Sequence, residues 1–288
     1  MAETRNHLSP AEGIWSLRRL PDMDEAQFNQ WQTLLEHRTG ITLSSERKSF
    51  LETNLGIRMR EIGCSSYQAY YEKIVSGPDA VVEWSTLVDR LTVQETRFFR
   101  DPDAFRLVSD YVLTRPRETL KRRPLEAWSV GCSTGKEPYT LAMLLNESME
   151  GLSLQPLFGV TGSDISKPAI DKAQSGLFSA RKLMGMDDAM KARYFRPAER
   201  NNVEIIESIR ERVCFTRLNV LDLKHAPMHG MNIIFCQNLL IYFRRWRRRE
   251  IVKRLAERLA PGGLLVLGQG ELTDWQPPGL QRVPSEHV

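Results

Sequence analysis

The stretch "SVGCSTGKEPYTLAM" (129–143) brings two glycines, a lysine and an acid together where an apolar run meets a helical pattern. Three residues part Gly131 from Gly135. A triphosphate-binding loop needs four between its glycines, and a hydroxyl after the lysine to hold magnesium. Here Lys136 is followed by Glu137 and Pro138, so a carboxylate stands where that hydroxyl belongs. The dinucleotide fingerprint fails as well, because only one residue separates its first two glycines. What remains is a strand–loop–helix turn with an acid two residues past the second glycine. Another acid, Asp164, ends the next apolar run, "PLFGVTGSDIS". Such carboxylates can accept hydrogen bonds from ribose hydroxyls and neutralise an ammonium, and S-adenosylmethionine carries both groups. The same residues also fit an ordinary turn, with Asp164 capping the helix that follows.

Other reactive side chains assemble no second site. Cys64, Cys132, Cys214 and Cys236 contain no C-x-x-C pair, so neither a disulfide framework nor a zinc site is expected. His225 and His229 lie four apart, but Pro227 between them breaks the helix a preset metal pair would need. No metal is expected. The cluster "RRWRRR" (244–249) reads most simply as a solvated helix face and next as a contact for an acidic protein. Nucleic acid comes last, because no series of stacking aromatics accompanies the charge.

Two textures of sequence position these residues. From about 22 to 90 every readable period is helical. "DMDEAQFNQWQTLLEHRTG" sets Phe28, Trp31, Leu34 and Leu35 on one face before Gly40 stops it, and "SSERKSFLETNLGIRMREIG" repeats the design to Gly63. "SSYQAYYEKIVSG" and "PDAVVEWSTLVDRLT" predict two more helices. After "KRRP" (121–124), strands alternate with helices, which predicts a parallel sheet with crossover connections. Within about 190–217, "VEIIESI" and "RVCFTRL" alternate in short runs and predict an antiparallel excursion. The last helix, "RRWRRREIVKRLAERLAPGG", is expected to stop at its Pro-Gly-Gly before the strand "LLVLGQGE".

The 288 residues carry a formal charge of +4, with 41% apolar and 26% charged side chains, as in a globular chain. No apolar run approaches the ~18 residues of a membrane-spanning helix. The N-terminus lacks the apolar segment of a signal peptide, so a cytoplasmic location is expected.

Six blocks then occur in a telling order: "LTVQETRFFRDPDAF" (91–105), "WSVGCSTGKEPYTLAM" (128–143), "GSDIS" (162–166), "LNVLD" (218–222), "IIFCQNLLIYF" (233–243) and "LAPGGLLVLGQGE" (259–271). Together they resemble the CheR family of bacterial chemoreceptor methyltransferases, over about residues 25–272. The resemblance implies a doubly wound Rossmann-like α/β methyltransferase sheet with a small inserted antiparallel β-subdomain, preceded by an all-helical domain (1–90) and a linker helix (91–120). It implies S-adenosylmethionine as cofactor and glutamate side chains on the helical cytoplasmic region of a receptor as acceptor; the mild charge of +4 implies no nucleic-acid partner. A monomer is expected.

Residue by residue, the resemblance assigns Thr96 and Arg100 to cofactor contact, with Gln94 where an Asn is usual. Gly131 lies in the loop, Glu137 matches the cofactor-binding acid, and Lys136 replaces an acid before it. Asp164 matches the ribose-binding acid, and Asn219 and Val220 flank the adenine. Asn238 and Tyr242 fall near the methyl group, and Gln237 stands where an Arg is usual. Arg100 and Tyr242 are the expected catalytic pair. Arg47, Lys48, Arg58 and Arg60 form the basic helix face with which relatives meet their receptor. A methyltransferase with another acceptor, or a cofactor-binding scaffold without catalysis, are the alternative readings.

Overall fold

The computed structural model describes residues 22–92, 95–273 and 275–283. The helical domain comprises α1 (Glu25–Thr39), α2 (Lys48–Glu61), α3 (Tyr67–Ser76) and α4 (Ala80–Leu91). A reciprocal capping box of Asp24 and Gln27 starts α1, and Gly40 in the left-handed region (φ 77°) ends it. That glycine also meets the second domain: a Cβ there would come within 2.7 Å of the Phe243 ring. Trp31, 1% exposed, centres the core with the Tyr70 and Tyr71 rings 5.5 and 5.3 Å away. Below it, buried Glu83 accepts from Arg58 Nε (2.8 Å), Arg58 Nη2 (2.7 Å) and the Tyr70 hydroxyl (2.7 Å). Arg58 also pairs with Glu61 at 3.0 Å. Arg58 is therefore tied into its own domain, and the expected basic face of α2 loses one cation.

The second domain begins with α5 (Pro102–Leu113) and α6 (Arg117–Arg122). Its sheet strands are β1 (Leu125–Val130), β2 (Phe158–Asp164), β6 (Val213–Arg217), β7 (Met231–Cys236) and β8 (Leu259–Leu267). They lie in the order β6-β2-β1-β7-β8, all parallel. Crossing helices include α7 (Lys136–Gly151), α8 (Lys167–Ser175) and α11 (Arg245–Ala256). The strand order reverses between β1 and β7, which opens a crevice at their carboxyl ends.

The small sheet is β3 (Leu177–Ser179), β5 (Asn202–Ile205) and β4 (Phe195–Ala198), in that order and antiparallel, with α9 (Asp188–Tyr194) leading into β4. The expected excursion at 190–217 is corrected at both ends. The small sheet starts at Leu177, and "RVCFTRL" forms β6, parallel to β2 with Val160 opposite Val213 and Asp164 opposite Arg217. The turn α10 (Glu207–Arg210) returns the chain to the large sheet. Alternation with period two reports which side chains face inward and says nothing of strand direction. The Pro-Gly-Gly of 261–263 likewise falls inside β8, where the pairing shifts register, while α11 already stops at Ala256.

Aromatic contacts join these parts. Phe105 of α5 stacks on Phe235 of β7 (4.8 Å, 12°), and Phe98 meets Phe178 and Phe195 of the small sheet edge-on at 5.1 and 5.3 Å. Among the described residues no helix is long and apolar enough to cross a membrane.

Candidate cofactor cleft

The crevice beside β1 and β7 continues as one cleft with two unlike halves. The apolar half, enclosing about 790 Å³ with its open mouth, is lined by Ile165, Leu218, Asn219 and Val220 around Asp164. Its far wall comes from the helical domain, through Thr39, Ile41, Leu43 and Leu91. The polar half, about 860 Å³ on the same measure, is lined by Thr96, Arg97, Arg100, Glu137 and Gln237. Gly131, Ser133, Asn238, Tyr242 and Arg47 border both halves. Every expected site residue that the structure describes thus lines the one cleft. Gln94 lies outside the described residues.

The glycine loop is built around Asp164. Gly131 (φ 74°), Ser133 (φ 50°) and Gly135 (φ 87°) all adopt left-handed backbone, folding the chain back over the end of β2. The N–H groups of Ser133 and Ser166 donate to the two Asp164 oxygens at 2.8 and 2.9 Å. Burial pushes the Asp164 carboxyl above its ordinary range, and these N–H groups pull it back. At Gly135 a Cβ would lie 2.7 Å from the Cβ of Ala173 in α8, so only glycine lets loop and helix approach this closely.

Glu137, in the first turn of α7, accepts from the Ser129 hydroxyl at 2.7 Å. Its carboxyl is pushed up to about 8, chiefly by burial; Ser129 counteracts this, Glu271 adds to it and Arg100 opposes it. Lys136 turns away from the cleft. Its ammonium donates to Thr134 Oγ1 at 2.8 Å and sits 5.2 Å from the Phe178 ring centre. Burial, aided by Lys182 and Lys172, lowers its pKa to about 8.

Arg100 donates to the Glu95 carbonyl at 2.9 Å, which holds the guanidinium at the polar half. Gln237, buried at 5% exposure, donates from Nε2 to Asp101 Oδ2 at 3.0 Å, while Asp101 also caps α5. The amide thus serves the start of α5 and brings no charge to the cleft. Asn219 donates to the Arg38 carbonyl at 2.9 Å and accepts from the Leu221 N–H. Its side chain thus joins the two domains while lining the apolar half, with one N–H and one lone pair left for other contacts. Asn238 adopts a left-handed conformation (φ 57°), which Asn tolerates better than most residues. Tyr242 lies beneath the Arg47 guanidinium, 5.9 Å from its ring centre, and its carbonyl accepts from the Thr42 N–H at 2.8 Å.

Sequence reasoning missed the helical-domain wall, whose residues carry no chemistry of their own, and it missed Ser133. The Ser133 hydroxyl is buried at the border of the two halves and finds no hydrogen-bond partner among the described residues. An orphaned hydroxyl between an acid beside apolar walls and an acid facing a guanidinium fits a ligand with a ribosyl base at one end and an amino acid at the other.

Walls of this chemistry narrow the class to α/β proteins that bind S-adenosylmethionine. Comparison with known proteins is narrower still. Residues 94–287 match the family described as "CheR methyltransferase, SAM binding domain", and residues 26–92 match "CheR methyltransferase, all-alpha domain". The chain belongs to the CheR methyltransferase family, and it is an S-adenosylmethionine-dependent methyltransferase by that membership. Among curated relatives, chemotaxis protein methyltransferase 2 of Vibrio cholerae is 31% identical over 254 residues, 86% of this chain and 85% of its own. Chemotaxis protein methyltransferase 2 of Pseudomonas aeruginosa is 30% identical, covering 85% of each chain. The chemotaxis protein methyltransferase of Escherichia coli K12 is 29% identical, covering 86% and 85%.

Proposed function

We propose that the protein methylates glutamate side chains on the acidic, helical cytoplasmic region of a chemoreceptor. The observation that carries this reading is the meeting of the two half-clefts at Asn238 and Tyr242. Asp164 would hold the ribose, Val220 and Ile165 the base, Glu137 the ammonium and Arg100 the carboxylate of S-adenosylmethionine, with Thr96 beside them. When bound, that cofactor supplies an electrophilic methyl group on its sulfonium. The border residues would then flank the reacting centre, where Tyr242 and Asn238 orient the acceptor and exclude water. A glutamate carboxylate is ionised at neutral pH, with an ordinary pKa of about 4.3, so the chain needs no general base. Positioning of the two reactants carries the rate, an effect of about 7–11 kcal/mol in favourable cases. Arg47, over Tyr242 and exposed at the mouth, supplies the cation that Gln237 does not.

The test uses methyl-labelled S-adenosylmethionine and a soluble receptor fragment containing the acidic helices. The expected product is a label released as methanol by mild base and lost when the acceptor glutamates are changed to glutamine. Base-stable label, or transfer that ignores those glutamates, would sink the acceptor assignment.

A further inference from the structure

The segment 237–243 carries Asn238 and Tyr242 between β7 and α11, and it is short, left-handed at Asn238 and only a 3₁₀ turn at Leu240–Tyr242. Such a turn has few hydrogen bonds of its own, so something outside it must fix where Tyr242 stands. Glu271, just past β8 and 2% exposed, is aimed at it. One oxygen accepts from the N–H groups of Leu240 (2.9 Å) and Ile241 (3.4 Å). The other accepts from the Gly268 N–H at 2.8 Å. Arg248 of α11 closes the opposite side, donating to the carbonyls of Phe243 (2.8 Å), Glu271 (3.3 Å) and Ile241 (3.4 Å). Gly268 is part of the device, because a Cβ there would collide with the Glu271 carboxylate. A carboxylate bonded by two N–H groups of one turn and one of the neighbouring strand end leaves that turn little freedom.

We infer that Glu271, seated by Gly268 and backed by Arg248, is the positioning residue of this enzyme, a buried clamp that holds the Asn238–Tyr242 turn against the cofactor cleft. It lines neither half of the cleft and, apart from its like-charge effect on Glu137, acts through the turn. This deepens the reaction proposed above, and its kinetic arm rests on that reading while its structural arm does not.

Three variants test it: Glu271→Gln, Gly268→Ala and the two combined. The first replaces an accepting oxygen by a donor. The second keeps the carboxylate but drives it off the amides, at a position whose backbone alanine can adopt. Amide exchange of the peptide spanning 237–243 is read by mass spectrometry, S-adenosylhomocysteine binding by calorimetry, and kcat and KM with the receptor fragment. Each single variant is expected to speed exchange of the 240–241 amides by roughly tenfold or more, the effect of losing charged hydrogen bonds. The kcat should fall by roughly tenfold to a hundredfold, as for a displaced catalytic group, with S-adenosylhomocysteine affinity at pH 8, where Glu137 is already about half ionised, within about threefold. The double variant should be no worse than either single one, since both remove the same contact. Unchanged turn exchange, additive losses, or an affinity loss matching the fall in kcat would overturn the clamp. Exchange that rises equally in β1 and β7 would overturn it too, by showing general loosening. If the wild-type protein methylates no receptor fragment, the acceptor reading fails, and the exchange and binding arms still decide the clamp.

Discussion

Glu137 offers the sharpest test of the cleft, because its ionisation is set against its task. With the carboxyl at about 8 in the ligand-free protein, only about a tenth of molecules carry the charge at pH 7. A ligand ammonium that needs the carboxylate must draw on that fraction, so affinity at pH 7 should be roughly tenfold below its plateau. Each further unit of acidity should cost about another tenfold, until other groups intervene. The assay is calorimetric titration with S-adenosylhomocysteine at pH 6, 7 and 8, in buffers of different ionisation enthalpy. Wild-type protein is expected to release close to one proton per ligand at pH 6 to 7, falling to about half a proton at pH 8. Glu137→Gln should bind with a flat pH profile and no proton release, weaker at pH 8 by about ten- to a hundredfold for the lost charge-assisted bond. The sign for folding follows from the same shift. A carboxyl raised from 4.5 to about 8 takes up a proton on folding within that window, so the ligand-free fold loses stability as pH rises through it. Affinity that stays constant from pH 6 to 8, with no proton released, would refute the role of Glu137 as the ammonium's partner.

Three further outcomes are expected. Asp164→Ala should weaken S-adenosylhomocysteine binding by at least roughly tenfold while circular dichroism stays unchanged, and an unaltered calorimetric affinity would remove Asp164 from the site. Gly135→Ala combines a left-handed backbone (φ 87°) with a 2.7 Å approach to Ala173 and should cost about 2–4 kcal/mol in denaturant unfolding, whereas Gly63→Ala (φ 71°), with nothing within 4 Å, should cost only about 1–2 kcal/mol. Equal losses at the two glycines would show that the contact with α8 does not matter. Trp31→Ala should destabilise the helical domain by about 3–5 kcal/mol, and a shift in its thermal midpoint of under a degree would contradict the packing around Tyr70 and Tyr71.

Much of this architecture was readable in the chain because local chemistry and global fold agree. Gly40 marks the end of α1 in the sequence as it does in space. The loop from Gly131 to Glu137 sits where an apolar run must turn into a helix. What escaped was relational. Strand direction in "RVCFTRL" depends on β2 as its partner, and alternation cannot carry it. Asn219 was expected beside the adenine, and its amide also donates to the Arg38 carbonyl, 181 positions away. Thr39, Ile41 and Leu43 read as the tail of a helix and a linker, since apolar residues announce burial and never say against what. Glu271 was legible only as the end of "GQGE"; its use appears once Leu240 and Ile241 are folded over it.

The wall that the helical domain lends to the apolar half has a consequence for turnover. A ligand seated there is bracketed by two hydrophobic cores that are separate in the chain, and the Asn219–Arg38, Thr42–Tyr242 and Glu36–Arg244 bonds stitch the seam beside it. Spent and fresh cofactor must exchange through that seam or past the polar half. A ligand there would act as mortar between two blocks, beside a joint that already holds through these polar contacts and the packing of Gly40 against Phe243. With S-adenosylmethionine seated there as proposed, parting of the two blocks would be one route by which product leaves, a step that neither block could provide alone.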